Sequence, residues 1–193
     1  LGLVGSEMCI RDSGSTGTVN AEATITAVAD AATTGNNALV DNALADLTIT
    51  ARGLSASNTA NDITIGGAGD VQSTASLSGR STASTVLGDS DALAALLATG
   101  MEALSNGFTA TIGQQGDISA AASIGSLAAP LLISALSSAE GDATAQAAAA
   151  AVGILGSFTG PAFSSLQAGT SQGDISGTAS ADLALSAIAT NGI

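Results

Sequence analysis

Five times in this chain a Gly-Asp step opens a run of small residues: GDVQSTASLSG, GDSDALAALL, GDISAAASIG, GDATAQAAAAAVG and GDISGTASADLAL. The aspartates are Asp70, Asp89, Asp117, Asp142 and Asp174, on average 26 residues apart. A second echo lies upstream, where Thr24-Ile25-Thr26 returns as Thr48-Ile49-Thr50, an offset of 24. A recurrence of this length is the mark of a stacked-repeat architecture, because each repeat is one supersecondary unit that needs a neighbour to cover its apolar face.

Within the runs, polarity alternates. In the last one Ile175, Gly177, Ala179, Ala181, Leu183 and Leu185 are apolar or tiny, and Ser176, Thr178, Ser180 and Asp182 between them are polar. Val19, Ala21, Ala23, Ile25 and Ala27 alternate in the same way with Asn20, Glu22, Thr24 and Thr26. Period two predicts strands, and the preceding glycine and aspartate supply turn chemistry. Three windows carry the other period. SDALAALLATGMEALSNG groups Leu93, Leu96, Leu97, Met101 and Leu104 on one helical face, NNALVDNALADL does so with Leu39, Val40, Ala43, Leu44 and Leu47, and SLAAPLLISALSSAEG reads either way. Alanine, the best helix former, supports helices there. The expected fold is therefore all-β, a β-solenoid or β-strand-repeat architecture with short helical excursions; a mainly α, alanine-rich helical bundle is the alternative. Stacking at about 4.8 Å would let alanine and isoleucine ladders fill an interior too narrow for aromatic rings.

The stretch VGSEMCIRDS has no counterpart elsewhere in the chain. Its back-translation, with Leu3 in frame, follows the oligonucleotide of a transposase-based sequencing-library adapter. Residues 1–13 are set apart as an adapter-derived artefact, and 14–193 are read as a repeat region and a fragment of a longer chain, consistent with a metagenomic source. The only cysteine, Cys9, falls in the part set aside, so no disulfide framework is expected.

Residues 14–193 then hold fourteen acids against Arg52 and Arg80, a net charge of −12, with no His, Lys, Trp or Tyr. Such a surface repels phosphate backbones, so nucleic acid is excluded as a partner. The most apolar run, Ala147 to Leu155, is far short of the about 20 residues needed to span a bilayer as a helix. The absence of His, Lys and Tyr, with Cys9 set aside, removes Ser-His, Cys-His and Schiff-base chemistry. Asp89 and Asp91 read as helix-cap residues. No catalytic or cofactor-binding residue is assigned, and the chain is not read as an enzyme.

Metal ligation is the remaining chemistry. Asp70, Asp117, Asp142 and Asp174 are calcium candidates, because stacked aspartates about 4.8 Å apart repel by about 0.9 kcal/mol per neighbour in water and a cation between them would relieve this. ITIGGAGDVQST resembles the calcium-binding nonapeptide of repeat toxins through Gly66, Gly67, Gly69, Asp70 and Val71, but one residue is missing before Asp70 and no tandem copy follows. Three Thr-x-Thr pairs, at Thr24/Thr26, Thr48/Thr50 and Thr109/Thr111, would make a flat ice-binding face only if they aligned.

Composition and loose repeat together resemble the low-complexity β-strand-repeat proteins of bacterial cell surfaces and secreted adhesins. That resemblance implies a structural or adhesive module, secreted or surface-displayed, whose partners are other surface proteins, glycans and neighbouring repeats of its own chain. A calcium-binding repeat module built on the Gly-Asp turns is the alternative.

Overall fold

The computed structural model describes residues 18–34, 41–58, 63–65, 69–105, 110–112, 116–158, 166–168 and 173–190. Among these every regular element is a strand. They are β1 (Val19–Ala32), β2 (Ala43–Asn58), β3 (Ile63–Ile65), β4 (Val71–Leu87), β5 (Ser90–Ser105), β6 (Ala110–Ile112), β7 (Ile118–Ile124), β8 (Leu131–Glu140), β9 (Ala143–Phe158), β10 (Leu166–Ala168), β11 (Ile175–Ala181) and β12 (Leu183–Ala189).

Every strand pairing is parallel, and each strand pairs with elements one pass of the chain away. The first sheet stacks β1 on β4, then β4 on β7 and β8, then those on β11 and β12. The second sheet runs β2-β5-β9, and the third β3-β6-β10. The chain therefore visits the three sheets in order and returns to the first, completing three passes and the opening of a fourth. Residues in register are about two Gly-Asp intervals apart: 52 from Thr26 to Ser78, 47 from Asp70 to Asp117, 53 from Asp89 to Asp142 and 57 from Asp117 to Asp174. The 26-residue period seen in the sequence is thus half a pass, because the second and third passes each have two Gly-Asp corners.

The alternation places the core. In β1, Ala21, Ala23 and Ala27 are buried; in β4, Val71, Ala75, Leu77 and Ala83; in β7 and β8, Ile118, Ala120, Ala122, Ile124, Leu131, Ile133 and Ala135. Ala27, Ala75, Leu77, Ala83, Ala122, Ile124, Leu131, Ile133 and Ala135 of these meet Ala45, Leu47, Ile49 and Ala51 of β2 and Ala92, Ala94, Leu96 and Ala98 of β5 across the interior. Buried hydroxyls in the same rows are bonded to carbonyls: Ser81 Oγ donates to Ala45 O at 3.0 Å and Ser90 Oγ to Leu136 O at 2.8 Å, which removes the desolvation cost of an unpaired group.

Among the described residues the helical excursions are absent. SDALAALLATGMEALS is β5, the described part of NNALVDNALADL opens β2, and LLISALSSAE is β8; residues 36–40 of the second window lie outside the described residues. The physical reason is competition between a local preference and a ladder. Helix propensity separates alanine from the β-branched residues by a few tenths of a kcal/mol per residue, whereas β5 is hydrogen-bonded on both edges, to β2 and β9. Of the supposed helical face, Leu96 and Met101 point inward and are buried, but Leu93 and Leu97 lie on the outer face, half-buried.

One ladder divides the interior. Gly53, Gly100 and Gly153 stand at the middle of β2, β5 and β9, facing the backbone of Thr74, Ala121 and Thr178, which form one row of the first sheet. A Cβ on Gly53 would lie 2.8 Å from the Thr74 carbonyl oxygen, and one on Gly100 or Gly153 would lie 2.7 Å from backbone atoms of Ala121 or Thr178. Only glycine lets two sheets approach this closely. The pinch separates a larger core built around Leu47, Ile49, Leu77, Leu96, Ile124 and Ile133 from a smaller one built around Leu54, Val71, Met101, Ile112 and Ile118, which the third sheet closes.

Candidate functional site

The Gly-Asp corners form two separate ladders. The first joins the third sheet to the first. Asp117 N–H donates to Asp70 Oδ1 at 3.1 Å, and Asp174 N–H to Asp117 Oδ1 at 2.8 Å. Backbone bonds run alongside, from Val19 N–H to Asp70 O, Val71 N–H to Asp117 O and Ile118 N–H to Asp174 O, each 2.8 Å. The second ladder joins the first sheet to the second and begins with an asparagine: Asp89 N–H donates to Asn42 Oδ1 and Asp142 N–H to Asp89 Oδ1, both at 2.9 Å.

Gly88 and Gly141 make the second corner feasible. Their φ values of +103° and +118° are ones that L side chains rarely adopt. The Gly88 carbonyl accepts from Thr85 Oγ1 at 2.8 Å and from Ser137 Oγ at 3.0 Å, tying the second pass to the third. The side chains of Asp70, Asp117 and Asp89 are therefore caps, in which Oδ1 accepts the backbone N–H of the corner in the next pass.

This arrangement places the four metal candidates. Asp70, Asp117 and Asp174 share the first corner, whereas Asp142 is on the second, above Asp89 and Asn42. The repeat length explains the misplacement, since a 26-residue period makes every Gly-Asp equivalent while a pass of about 50 residues sorts them into two sets. Among the described residues no three His, Cys, Asp or Glu side chains come together so as to hold a metal ion. Gly66 and Gly67 of the nonapeptide-like stretch lie outside the described residues.

The Thr-x-Thr pairs do not align. Thr24 and Thr26 are in β1 of the first sheet, Thr48 and Thr50 in β2 of the second, and Thr111 in β6 of the third; Thr109 lies outside the described residues. The offset of 24 joins consecutive sheets of one pass.

Sequence reasoning assigned nothing to the two arginines, and both bridge the first two passes. Arg80 of β4 grips Asp30 of β1 with Nε to Oδ1 at 3.0 Å and Nη2 to Oδ2 at 2.6 Å, and Thr82 Oγ1 also donates to Oδ1. These donors hold the Asp30 carboxyl below the usual carboxylate range, at about 2. Arg52 of β2 places Nε 3.0 Å from Oε2 of the buried Glu102 of β5, which also accepts from Ser55 Oγ at 3.0 Å. Opposite charges spaced one pass apart were the available signal, hidden until the pass length was known.

The outer faces differ. The first sheet presents hydroxyl and amide rows, Asn20-Gln72-Ser119-Ser176 and Thr24-Ser76-Ser123-Ser180. The second presents Thr48 and Thr50 of β2, Ala95 and Leu97 of β5, and Ala148 and Ala150 of β9 around an open, mostly apolar hollow of about 380 Å³. No helix among the described residues is long and apolar enough to cross a membrane, and the alanine-rich run from Ala147 to Leu155 lies in strand β9. Compared with known proteins, the chain matches no family model, no curated protein and no solved structure.

Proposed function

We propose that this chain is a structural or adhesive repeat module of a secreted or cell-surface bacterial protein, with its three sheets wound as a β-solenoid and no catalytic site. The observation that carries the reading is the in-register return of all three sheets, with both aspartate ladders, at each pass. A fold made this way gains rigidity by repetition, since each pass contacts only its neighbours and adds the same ladder bonds. Its small interior side chains follow from the narrow cross-section, and its regular polar face suits contact with glycans or other surface proteins. The aspartates serve as inter-pass caps.

The test is assembly of the complete gene from its source DNA. Further Gly-Asp passes in the flanking frame together with an export signal are the expected result. A flanking sequence with neither, or one that places these residues inside an intracellular enzyme, overturns the reading.

A further inference from the structure

We infer that the turn from Ser126 to Ala129 is a docking knob for the apolar hollow on the second sheet of another copy, so that molecules associate flank to flank. The inference rests on the stacked-pass reading above and adds a partner to it. Both surfaces lie on the sides of the stack, so the contact is the same whatever precedes or follows residues 14–193.

The turn is an insertion that the stack itself does not need. Where β4 has Ser78 and Gly79 between Leu77 and Arg80, the third pass has residues 125–131 between their partners Ile124 and Leu132, and the fourth has Asp182 alone between β11 and β12. With β4 on one edge of the third pass and β11 and β12 on the other, the extra residues leave by the outer face. They are held in one shape. Gly125, at φ +65°, starts the turn and donates its N–H to Leu77 O at 2.8 Å. Ser126 and Ala129 exchange backbone N–H···O bonds of 3.0 Å, Ser126 Oγ accepts from the Ala129 N–H at 3.1 Å, and Leu131 N–H donates to Asp182 O at 3.0 Å. At the tip stands Leu127, which at 91% is the most exposed large apolar side chain among the described residues, with Ala128 and Pro130 exposed beside it. A tip already fixed loses little conformational freedom on docking.

Size, charge and placement select the hollow as its seat. The paired arms of the turn are about 5 Å apart, and the hollow crosses three strands, about 10 Å from β2 to β9. Its outward side chains are short, Ala95, Ala148 and Ala150 beside Leu97, Thr48 and Thr50, and they leave about 380 Å³ open to a leucine. Two copies carrying a net charge of −12 over residues 14–193 repel one another. Neither residues 125–130 nor the lining of the hollow has an ionisable side chain, so these surfaces meet without setting carboxylate against carboxylate.

Placement decides the form of the assembly. The first and second sheets pack inner face to inner face, so knob and hollow lie on opposite sides of one molecule. A copy that seats its knob in a neighbour keeps its own hollow open, and a contact of this kind does not close on itself. One knob buries too little area for a permanent complex, so the association is weak and shows at high concentration.

Sedimentation velocity of the full chain over a range of concentrations tests this, under reducing conditions so that Cys9 forms no cross-link. Leu127→Glu blocks the knob and Ala95→Glu blocks the hollow. The expected result is growth beyond dimers for the parent, stronger as salt screens the net charge, and for each variant a need for concentrations about tenfold higher. A mixture of the two variants, each keeping one intact surface, is expected to stop at dimers. A parent that stays monomeric, a parent that stops at dimers, association weakened by salt, or association unchanged by either variant overturns the inference. Circular dichroism separates the two readings: a strand spectrum with no association defeats the docking alone, and loss of the strand spectrum in the parent defeats the stacked-pass reading itself.

Discussion

The second pass and the fourth are built from nearly the same rows, yet one is a core and the other a surface. Val71, Ala75 and Leu77 of β4 are buried to within a few per cent, while their counterparts Ile175, Ala179 and Ala181 in β11 are half-buried or exposed. The side chains do not account for this difference, since isoleucine buries more apolar area than valine. Position in the stack does: β4 has a strand on each edge, and β11 has one among the described residues. Burial in this molecule is therefore supplied by neighbouring passes, and the cost of a substitution should depend on the pass it falls in more than on its chemistry.

The row Ala29-Ser81-Ile133-Leu185 offers the largest contrast. Ile133→Ala empties a fully buried site and is expected to cost about 4 kcal/mol in a urea melt. Leu185→Ala removes a comparable side chain that is 51% exposed and is expected to cost about 1 kcal/mol. Equal costs would break the dependence on position in the stack.

Glycines sharpen the same contrast. A Cβ on Gly100 would sit 2.7 Å from the carbonyl oxygens of Ala121 and Gly153, and backbone held in ladders on both sides has nowhere to move. Gly100→Ala is expected to lose about 3 kcal/mol. On Gly177, in the last pass, the nearest atom to a new Cβ is Cγ1 of Ile154 at 3.2 Å, part of a flexible side chain. Gly177→Ala should change the midpoint little, and a loss as large as that of Gly100→Ala would break the proposed dependence on position.

These contrasts also show what could be seen in the residues beforehand. Alternation gave β1 and β11 with their inward rows, because small polar and small apolar residues can alternate for few other reasons; β4 was less clear, since its inward row includes the polar Ser73 and Ser81. It failed at β5 and β8, where runs such as ALAALLA fit periods of 2 and 3.6 alike, and the choice was made by strands more than 40 residues away. The Gly-Asp corners were legible as turns, but their pairing was not. Asp89 and Asp117 look equivalent in sequence, and only the pass length sends one to Asp142 and the other to Asp174. The glycine pinch was illegible for the same reason, since Gly53, Gly100 and Gly153 acquire meaning only when aligned across the sheet.

The aspartate ladder gives a smaller effect with a clean control. Asp117→Ala removes the acceptor of the Asp174 N–H and is expected to cost about 1 kcal/mol. Asp117→Asn keeps a carbonyl in place, as Asn42 does at the start of the other ladder, and relieves repulsion between carboxylates. It should be neutral or stabilising in the same urea melt. If calcium occupied the corner, Asp117→Asn would destabilise and the melting midpoint would shift between calcium and chelator; the capping role predicts no shift.

The smallest effect is confined to the opposite end of the stack. The Asp30-Arg80 pair joins the first two passes, and no equivalent continues along the row, where Arg80 is followed by Leu132 and Ala184, and Thr82 by Ser134 and Ser186. Asp30 titrates at about 2 in the folded chain against 3.8 ordinarily, chiefly because Arg80 and then Thr82 donate to it. A carboxyl with a lowered pKa stabilises the fold fully above its ordinary value, and that contribution fades as pH falls from about 3.8 through about 2. Arg80 stays charged throughout, since its own pKa is raised by the same contact. Both groups are exposed, so solvent screens the pair and the change is small. Hydrogen exchange read segment by segment between pH 4 and 2 should show β1 losing protection in the parent and not in Asp30→Asn, while β11 and β12 behave alike in both. If Asp30→Asn altered the last pass as much as the first, the passes would unfold as one unit, and burial by neighbours would no longer set the stability of each.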